Sequence, residues 1–321
     1  MTEETEEKEP SAMEKRLAGA SIAVVGAVNM DICGMPYQPL VGADSNPGRV
    51  SLSMGGVGRN IAHNLALLGQ PVSLITVFGD DVNGRRIQEH LEKLGINLSN
   101  ARTVSGASTS CYVFITDEKG EMQLAISDMG IYTYMTPQFM ENRLDVLNRS
   151  CLCVIDTNLP QETIEYLAEH LRVPIFADPV STAKMHKLER ILGHIHTLKP
   201  NRLEAEYLSG IEINDEDSLK KAADVLLDKG IENVYITLGA KGVLCAGRNR
   251  MLLIPGIQTN VRSATGGGDC FMAALAYAYR AGLSSEEAAR LALAAGAICA
   301  ESDQTINEEL SVQMMHERAG L

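Results

Sequence analysis

The stretch Ala264-Thr-Gly-Gly-Gly-Asp269 runs directly into Cys270-Phe-Met-Ala-Ala-Leu-Ala-Tyr-Ala-Tyr279, an unbroken helical pattern. Three glycines ahead of a helix let the backbone bring several N–H groups to one point, and the helix N-terminus adds positive partial charge there. That combination suits a phosphate. Asp269 falls in the first helical turn beside the same point, placed to take a proton from a hydroxyl attacking that phosphate. A plainer arrangement fits the same residues, with the glycines forming a tight turn and Asp269 capping the helix. Two familiar phosphate fingerprints are missing. No GxxxxGK[ST] occurs, and Gly26, which closes the first apolar run, leads into AVNMD instead of completing GxGxxG.

A second glycine cluster, Met54-Gly-Gly-Val-Gly-Arg-Asn60, opens a helical stretch that continues through Asn64-Leu-Ala-Leu-Leu68. Close-set glycines beside an amide suit a backbone that approaches a polar ligand, with Asn60 hydrogen-bonding it. A lone cluster of this kind is more usually a turn whose Asn pairs with backbone. Asn29-Met-Asp31 follows the first apolar run, and Asn201-Arg-Leu-Glu204 follows the run His196 to Pro200, its polar groups at i and i+3 on one helical face. Ligands of open parallel sheets gather at the carboxyl ends of strands, so both pairs should face one crevice.

Holding these groups together requires a scaffold, which the hydrophobic pattern supplies. SIAVVG (21–26), VSLITVFG (72–79), LCVID (152–156), PIFAD (174–178), HTLKP (196–200) and VYITLG (234–239) read as strands buried on both faces. Helical stretches lie between them, at 58–68, 84–94, 161–171 and 218–229, the last ended by Gly230. Such alternation predicts an α/β fold, a mainly parallel central sheet with helices on both faces. Two segments interrupt it, about 33–54 and 109–127. In the second, CYVFITD and MQLAIS flank Asp117-Glu-Lys-Gly120 as a hairpin would. Together they predict a small β lid over one end of the sheet.

Composition narrows the function classes. With 28 Lys and Arg against 41 Asp and Glu, the net charge of −13 offers no track for a nucleic-acid backbone, and 4% aromatic residues without Trp offer few stacking platforms. No apolar run reaches the roughly 18 residues of a membrane span. The first 16 residues are acidic and lack the apolar core of a signal peptide, which makes the cytoplasm the expected location. Residues 1–18, with five Glu in the first nine positions, are expected to form a disordered tail, leaving 19–321 as one domain. The seven cysteines are scattered, with no CxxC pair, and read as free thiols. His194 and His196 share a strand face without further ligands, as do Cys151 and Cys153, and neither pair suggests a metal.

Taken in order, Asn29-x-Asp31, the GGxGxN of Gly55 to Asn60, the Asn-x-x-Glu of Asn201 to Glu204 and the Gly-x-Gly-Asp of Gly266 to Asp269 resemble the ribokinase (pfkB) family of sugar and nucleoside kinases. The likeness covers about residues 21–312. Ala43-Asp-Ser-Asn-Pro-Gly48, Ala125-Ile-Ser-Asp-Met129, Ala177-Asp-Pro-Val-Ser181 and the run from His196 to Glu206 are most similar to the branch that phosphorylates pseudouridine. The resemblance implies a ribokinase-like fold and ATP-dependent transfer of the γ-phosphoryl group to a nucleoside 5′-hydroxyl, with Asp269 as base and Gly266, Gly267 and Gly268 as anion hole. It further implies ribose held by Asn29, Asp31, Gly55, Gly56 and Asn60. Asn201 and Glu204 would organise Mg²⁺ and phosphates, Glu204 largely through water, while Thr237 and Gly239 line the nucleotide. Asp44, Ser45, Asn46, Ser127 and Asp128 are the lid candidates for reading the base. A K⁺ ion near the anion hole and a homodimer paired through the lid are further implications. A kinase of another nucleoside or of ribose would carry the same loop, and a sensor without turnover the same fold.

Two departures from the family pattern stand out. Ser263-Ala-Thr265 replaces a common Asp-Thr-Thr, which removes a carboxylate from the cation's expected place. Gly267 replaces a common Ala, at a cost of about 0.5–1 kcal/mol in backbone entropy but no lost donor, so the site should survive.

Overall fold

The apolar runs are taken up by one eight-stranded sheet. In a computed structural model describing residues 19–248, 250–263 and 265–321, its order is β14-β13-β12-β11-β10-β9-β1-β4. The tail expected over 1–18 lies outside the described residues. Strands β1 (Ile22–Val25), β4 (Val72–Ile75), β9 (Leu152–Asp156), β10 (Ile175–Asp178), β11 (Ile195–Leu198) and β12 (Asn233–Thr237) are parallel, as the alternation with helices requires. Along β1, Ile22 and Val24 pack into one hydrophobic cluster while Ala23 and Val25 pack into another. Both faces are therefore covered, which is why these strands read as continuous apolar runs.

Helices α1 (Val57–Leu67), α2 (Val82–Lys93), two short helices α3 (Pro137–Glu141) and α4 (Leu144–Arg149), α5 (Gln161–His170), α6 (Arg202–Ser209), α7 (Glu216–Asp228), α8 (Gly267–Arg280), α9 (Ser285–Ala300) and α10 (Val312–Ala319) supply the cover. The Ile22 face carries side chains of α1, α8 and α9, and the opposite face those of α5 and α7. Expected helix ends agree within about two residues. Gly230 ends α7 with φ +100°, the left-handed conformation expected of it.

Three features differ from the sequence expectation. The run 72–79 divides at Thr76, and its second half, β5 (Val77–Gly79), leaves the main sheet to pair with β6 (Arg102–Val104). An antiparallel hairpin, β13 (Gly242–Gly247) and β14 (Arg250–Pro255), extends the sheet beyond β12. The second sheet, ordered β3-β2-β7-β8, contains β2 (Asn29–Pro36), β3 (Gly48–Gly55), β7 (Cys111–Thr116) and β8 (Met122–Asp128). It starts four residues earlier than expected, so Asn29 and Asp31 belong to this sheet and not to the end of β1.

Candidate active site

Gly266 is the N-cap of α8, in the left-handed conformation at φ +85°. A Cβ there would lie 2.0 Å from the Thr305 carbonyl oxygen, so only glycine lets the loop pass. The first helical hydrogen bond runs from Cys270 N–H to the Gly266 carbonyl, 2.9 Å. Amides earlier in the turn have no intrahelical acceptor, which leaves an open N–H cradle. No side chain caps this end. Asp269 is not a cap; its Oδ2 accepts from Asn60 Nδ2 at 2.7 Å. Burial and the Asp178 carboxylate push the Asp269 carboxyl up to about 7, only partly offset by Asn60 and Lys199.

Asn60 stands in the first turn of α1 and bridges two charged groups. Its Oδ1 accepts from Arg59 at 2.9 Å while its amide holds Asp269, so it serves side chains and not backbone. Arg59 also donates to the Met54 carbonyl and is buried, which lowers its guanidinium to about 10 against the pull of Asp31, Asp269 and Glu308. Asp31 accepts from buried Asn29 and is raised to about 6, chiefly by burial, with Arg59 opposing. Gly55, opposite Asn29 across the β2–β3 pair, must be glycine because a Cβ would meet Asp31 Oδ2 at 2.3 Å. Hydrogen bonds thus join Asn29 to Asp31 and Asn60 to both Asp269 and Arg59, while Arg59 reaches Asp31 by charge alone. Gly56 is the N-cap from which α1 departs.

On the other flank, Asn201 caps α6. Its Oδ1 accepts from Glu204 N–H at 3.0 Å while Glu204 Oε2 accepts from Asn201 N–H at 2.9 Å. The pair therefore forms a closed capping box, not two groups side by side on one helical face. Glu204 is 3% exposed and its carboxyl is raised, chiefly by burial.

Two residues here were given no role from the sequence. Lys199 Nζ pairs with Asp178 Oδ2 at 3.2 Å, both buried, and would stand 3.3 Å from a Cβ on Gly268. Burial alone would lower the Lys199 ammonium, but the Asp178, Glu204 and Asp269 carboxylates hold it above its ordinary value. Both lie at or just past the carboxyl ends of adjacent strands, β10 and β11, and that position was the available signal. Arg59 and Asp156 were missed as well. Asp156 Oδ2 accepts from the amides of Ala27 (2.8 Å) and Gly58 (3.0 Å), pinning the end of β1 to the start of α1.

A largely apolar cavity of about 550 Å³ adjoins the cradle, lined by Gly267, Gly268, Thr237, Gly239, Phe271 and Leu293 among others. A second, of about 780 Å³, opens on the Asn201 side of Thr237 and Gly239. The lid candidates divide. Ser127 lies opposite Tyr112, which lies opposite Asp31, so Ser127 and Asp31 share a row about 10 Å apart. Asp44 and Asn46 sit in the exposed loop at the far end of β2, seven residue steps or about 23 Å of strand from Asn29. The Asn46 side chain is spent there on Val41 and Asp44, so neither residue joins the Asp269 group in this arrangement.

Comparison with known proteins agrees with this geometry. Residues 20–311 match the pfkB family carbohydrate kinase profile. Pseudouridine kinase of Escherichia coli (strain K12) is 35% identical over 91% of this chain and 94% of its own length. An uncharacterized sugar kinase of the same organism, YeiI, is 38% identical over 90% of this chain and 80% of its own. Among solved structures, a putative sugar kinase from Clostridium perfringens superposes with a TM-score of 0.85 at 32% identity, over 94% of this chain and 96% of that one.

Proposed function

The chain belongs to the pfkB family of carbohydrate kinases, and on that footing we propose that it transfers the γ-phosphoryl group of ATP to the 5′-hydroxyl of pseudouridine, in the cytoplasm. One observation carries the reading: Asp269 lies in the first turn of α8, held by Asn60 and next in sequence to Gly267 and Gly268, which line both the open amide end and the apolar cavity. A carboxyl near 7 is well matched to taking a proton from an attacking hydroxyl at neutral pH. Asn60 holds the carboxylate in place. Asn29, Asp31, Gly55 and Gly56 offer an amide, a carboxylate and close backbone to vicinal ribose hydroxyls. Amides of Gly266, Gly267 and Gly268, with the Lys199 ammonium beside them, would face the charge that develops on the transferring group.

The nucleotide would lie along Thr237 and Gly239. Glu204 and Asp178 provide the hard oxygen donors that Mg²⁺ takes. Because Glu204 is buried and commits one oxygen to the Asn201 amide, it would act on the ion through water. An ion held there would supply positive charge against the phosphates. A K⁺ beside the anion hole would rely on hydroxyl and carbonyl oxygens, since Ser263 offers no carboxylate; replacing KCl by a tetramethylammonium salt tests that part.

Substrate choice is decided by ATP, Mg²⁺ and a panel of acceptors. Pseudouridine should give the highest kcat/KM; equal or better turnover of ribose, uridine or adenosine overturns the assignment, and stabilisation by ligand without turnover points to a sensor. Pseudouridine differs from uridine by a carbon–carbon glycosidic bond and an extra ring N–H, which calls for an acceptor. Ser127, in the row of Asp31, is a better placed acceptor than Asp44 or Asn46.

The reading extends to a homodimer. The β3-β2-β7-β8 sheet exposes an apolar set on the face opposite Asp31, including Val50, Leu52 (53% exposed), Leu124 and Ile126 (64%). A second copy of the same sheet would cover it, and Leu52→Lys with Ile126→Lys should convert the dimer to monomer in light scattering.

A further inference from the structure

One turn beyond Arg59, α1 carries His63. His63 is 1% exposed, its Nε2 lies 3.3 Å from Glu308 Oε2, and its Nδ1 has no hydrogen-bond partner. His90 of α2 packs edge-on against it, ring centroids 5.3 Å apart. One ligand atom from each of His63, His90 and Glu308 falls within 4.8 Å of the other two.

We propose that His63, His90 and Glu308 form a binding site for a divalent transition ion of the Zn²⁺ type, separate from the Mg²⁺ of phosphoryl transfer. Two imidazoles and one carboxylate are the donor set such ions favour, whereas Mg²⁺ favours oxygen alone. Tetrahedral bonds of about 2.0–2.1 Å place neighbouring ligand atoms roughly 3.3–3.4 Å apart, the spacing already found between His63 and Glu308. The His90 ligand atom, within 4.8 Å of the other two, has to close by at most about 1.5 Å. Exposed Glu308 gives the ion its path in, and solvent fills the fourth position.

The local electrostatics are compatible. Arg59 opposes a cation nearby, but Glu308 draws one in, and the Arg59 guanidinium itself donates to Asn60 and the Met54 carbonyl. A Zn²⁺-type ion would displace the proton shared between His63 Nε2 and Glu308 Oε2, so its binding should weaken as pH falls. The bound ion would fasten α2 and the segment between α9 and α10 to α1, the helix that carries Arg59 and Asn60.

The test uses untagged full-length protein, treated with chelator and held in excess MgCl2. On adding ZnCl2, calorimetry should show one ion per chain at micromolar or tighter affinity, and the melting temperature should rise by a few degrees. His90→Ala and Glu308→Gln, at half-buried and exposed positions, should each weaken that binding by about 10- to 100-fold or more. CoCl2 should give visible d–d absorption without a thiolate charge-transfer band. Absence of binding overturns the proposal, as does unchanged binding in both variants, or a thiolate band that moves the ion to a cysteine.

Discussion

Two helix N-termini face the same cleft and settle their free amides in opposite ways. At α6, Asn201 and Glu204 satisfy each other in a capping box, and the end is closed without any ligand. At α8, Gly266 turns the chain without offering a side chain, and the first-turn amides stay open. A closed end stabilises the fold by itself, typically by about 1 kcal/mol. An open end leaves donors for an anion, at some cost in stability until one binds. Motifs of similar appearance in the sequence thus divide into one that holds the protein together and one that is kept available.

The largest effect should come from Asp269→Asn, which removes the carboxylate that we propose as base at the open end. Turnover is expected to fall about 10²- to 10⁴-fold with nucleotide binding retained, and an unaffected rate would refute the role. Gly266→Ala should come next. With φ +85° and the Thr305 carbonyl in the way, it should reduce kcat/KM by roughly 10²-fold or more and lower stability by about 1–3 kcal/mol, read by urea melts. If Gly266→Ala behaves like wild type, the open end is not the anion site.

The pH profile follows in size. With Asp269 near 7 and Asp31 near 6, kcat/KM should fall about tenfold or more per unit below pH 6 and level off above 7.5. Stability runs the other way. A carboxyl raised by folding stabilises the native state only while protonated, so its contribution is present below about pH 4 and lost as pH rises through 7. Asp269→Asn should therefore melt a few degrees higher than wild type at pH 8 and not at pH 4; equal melting at both would mean that Asp269 is not strained by its surroundings. The smallest effect belongs to the closed end. Asn201→Ala should lose about 0.5–2 kcal/mol and Asn201→Ser should recover it. Activity restored together with the cap would make Asn201 a positioning residue; activity still lost in Asn201→Ser would give its amide a direct part in binding phosphate or Mg²⁺.

Much of this was legible in the sequence because it is local. Apolar runs buried on both faces gave the parallel strands, and the glycines before α8 gave the cradle, since turn chemistry and periodicity need no distant partner. Three kinds of feature were not legible. The break at Thr76 depends on β6, about 25 residues away, offering β5 a different neighbour. The β13–β14 hairpin continues the sheet past the alternating pattern. Lys199 and Asp178 come together because two strands 17 or more residues apart in sequence lie adjacent.

The sequence alone determined the layers, the helix that begins at Gly267 and the presence of an acid beside it, all set by side-chain period and by glycine's freedom near φ +85°. It could not say whether Asp269 was a cap or a base. The tertiary structure removed the cap, by bringing Asn60 from 209 residues away to hold the carboxyl and Asp178 to raise it, and so left the carboxyl available for the base we propose. A carboxyl's proton affinity depends on the charges and the dielectric around it, and those are assembled only when distant strands close on one another.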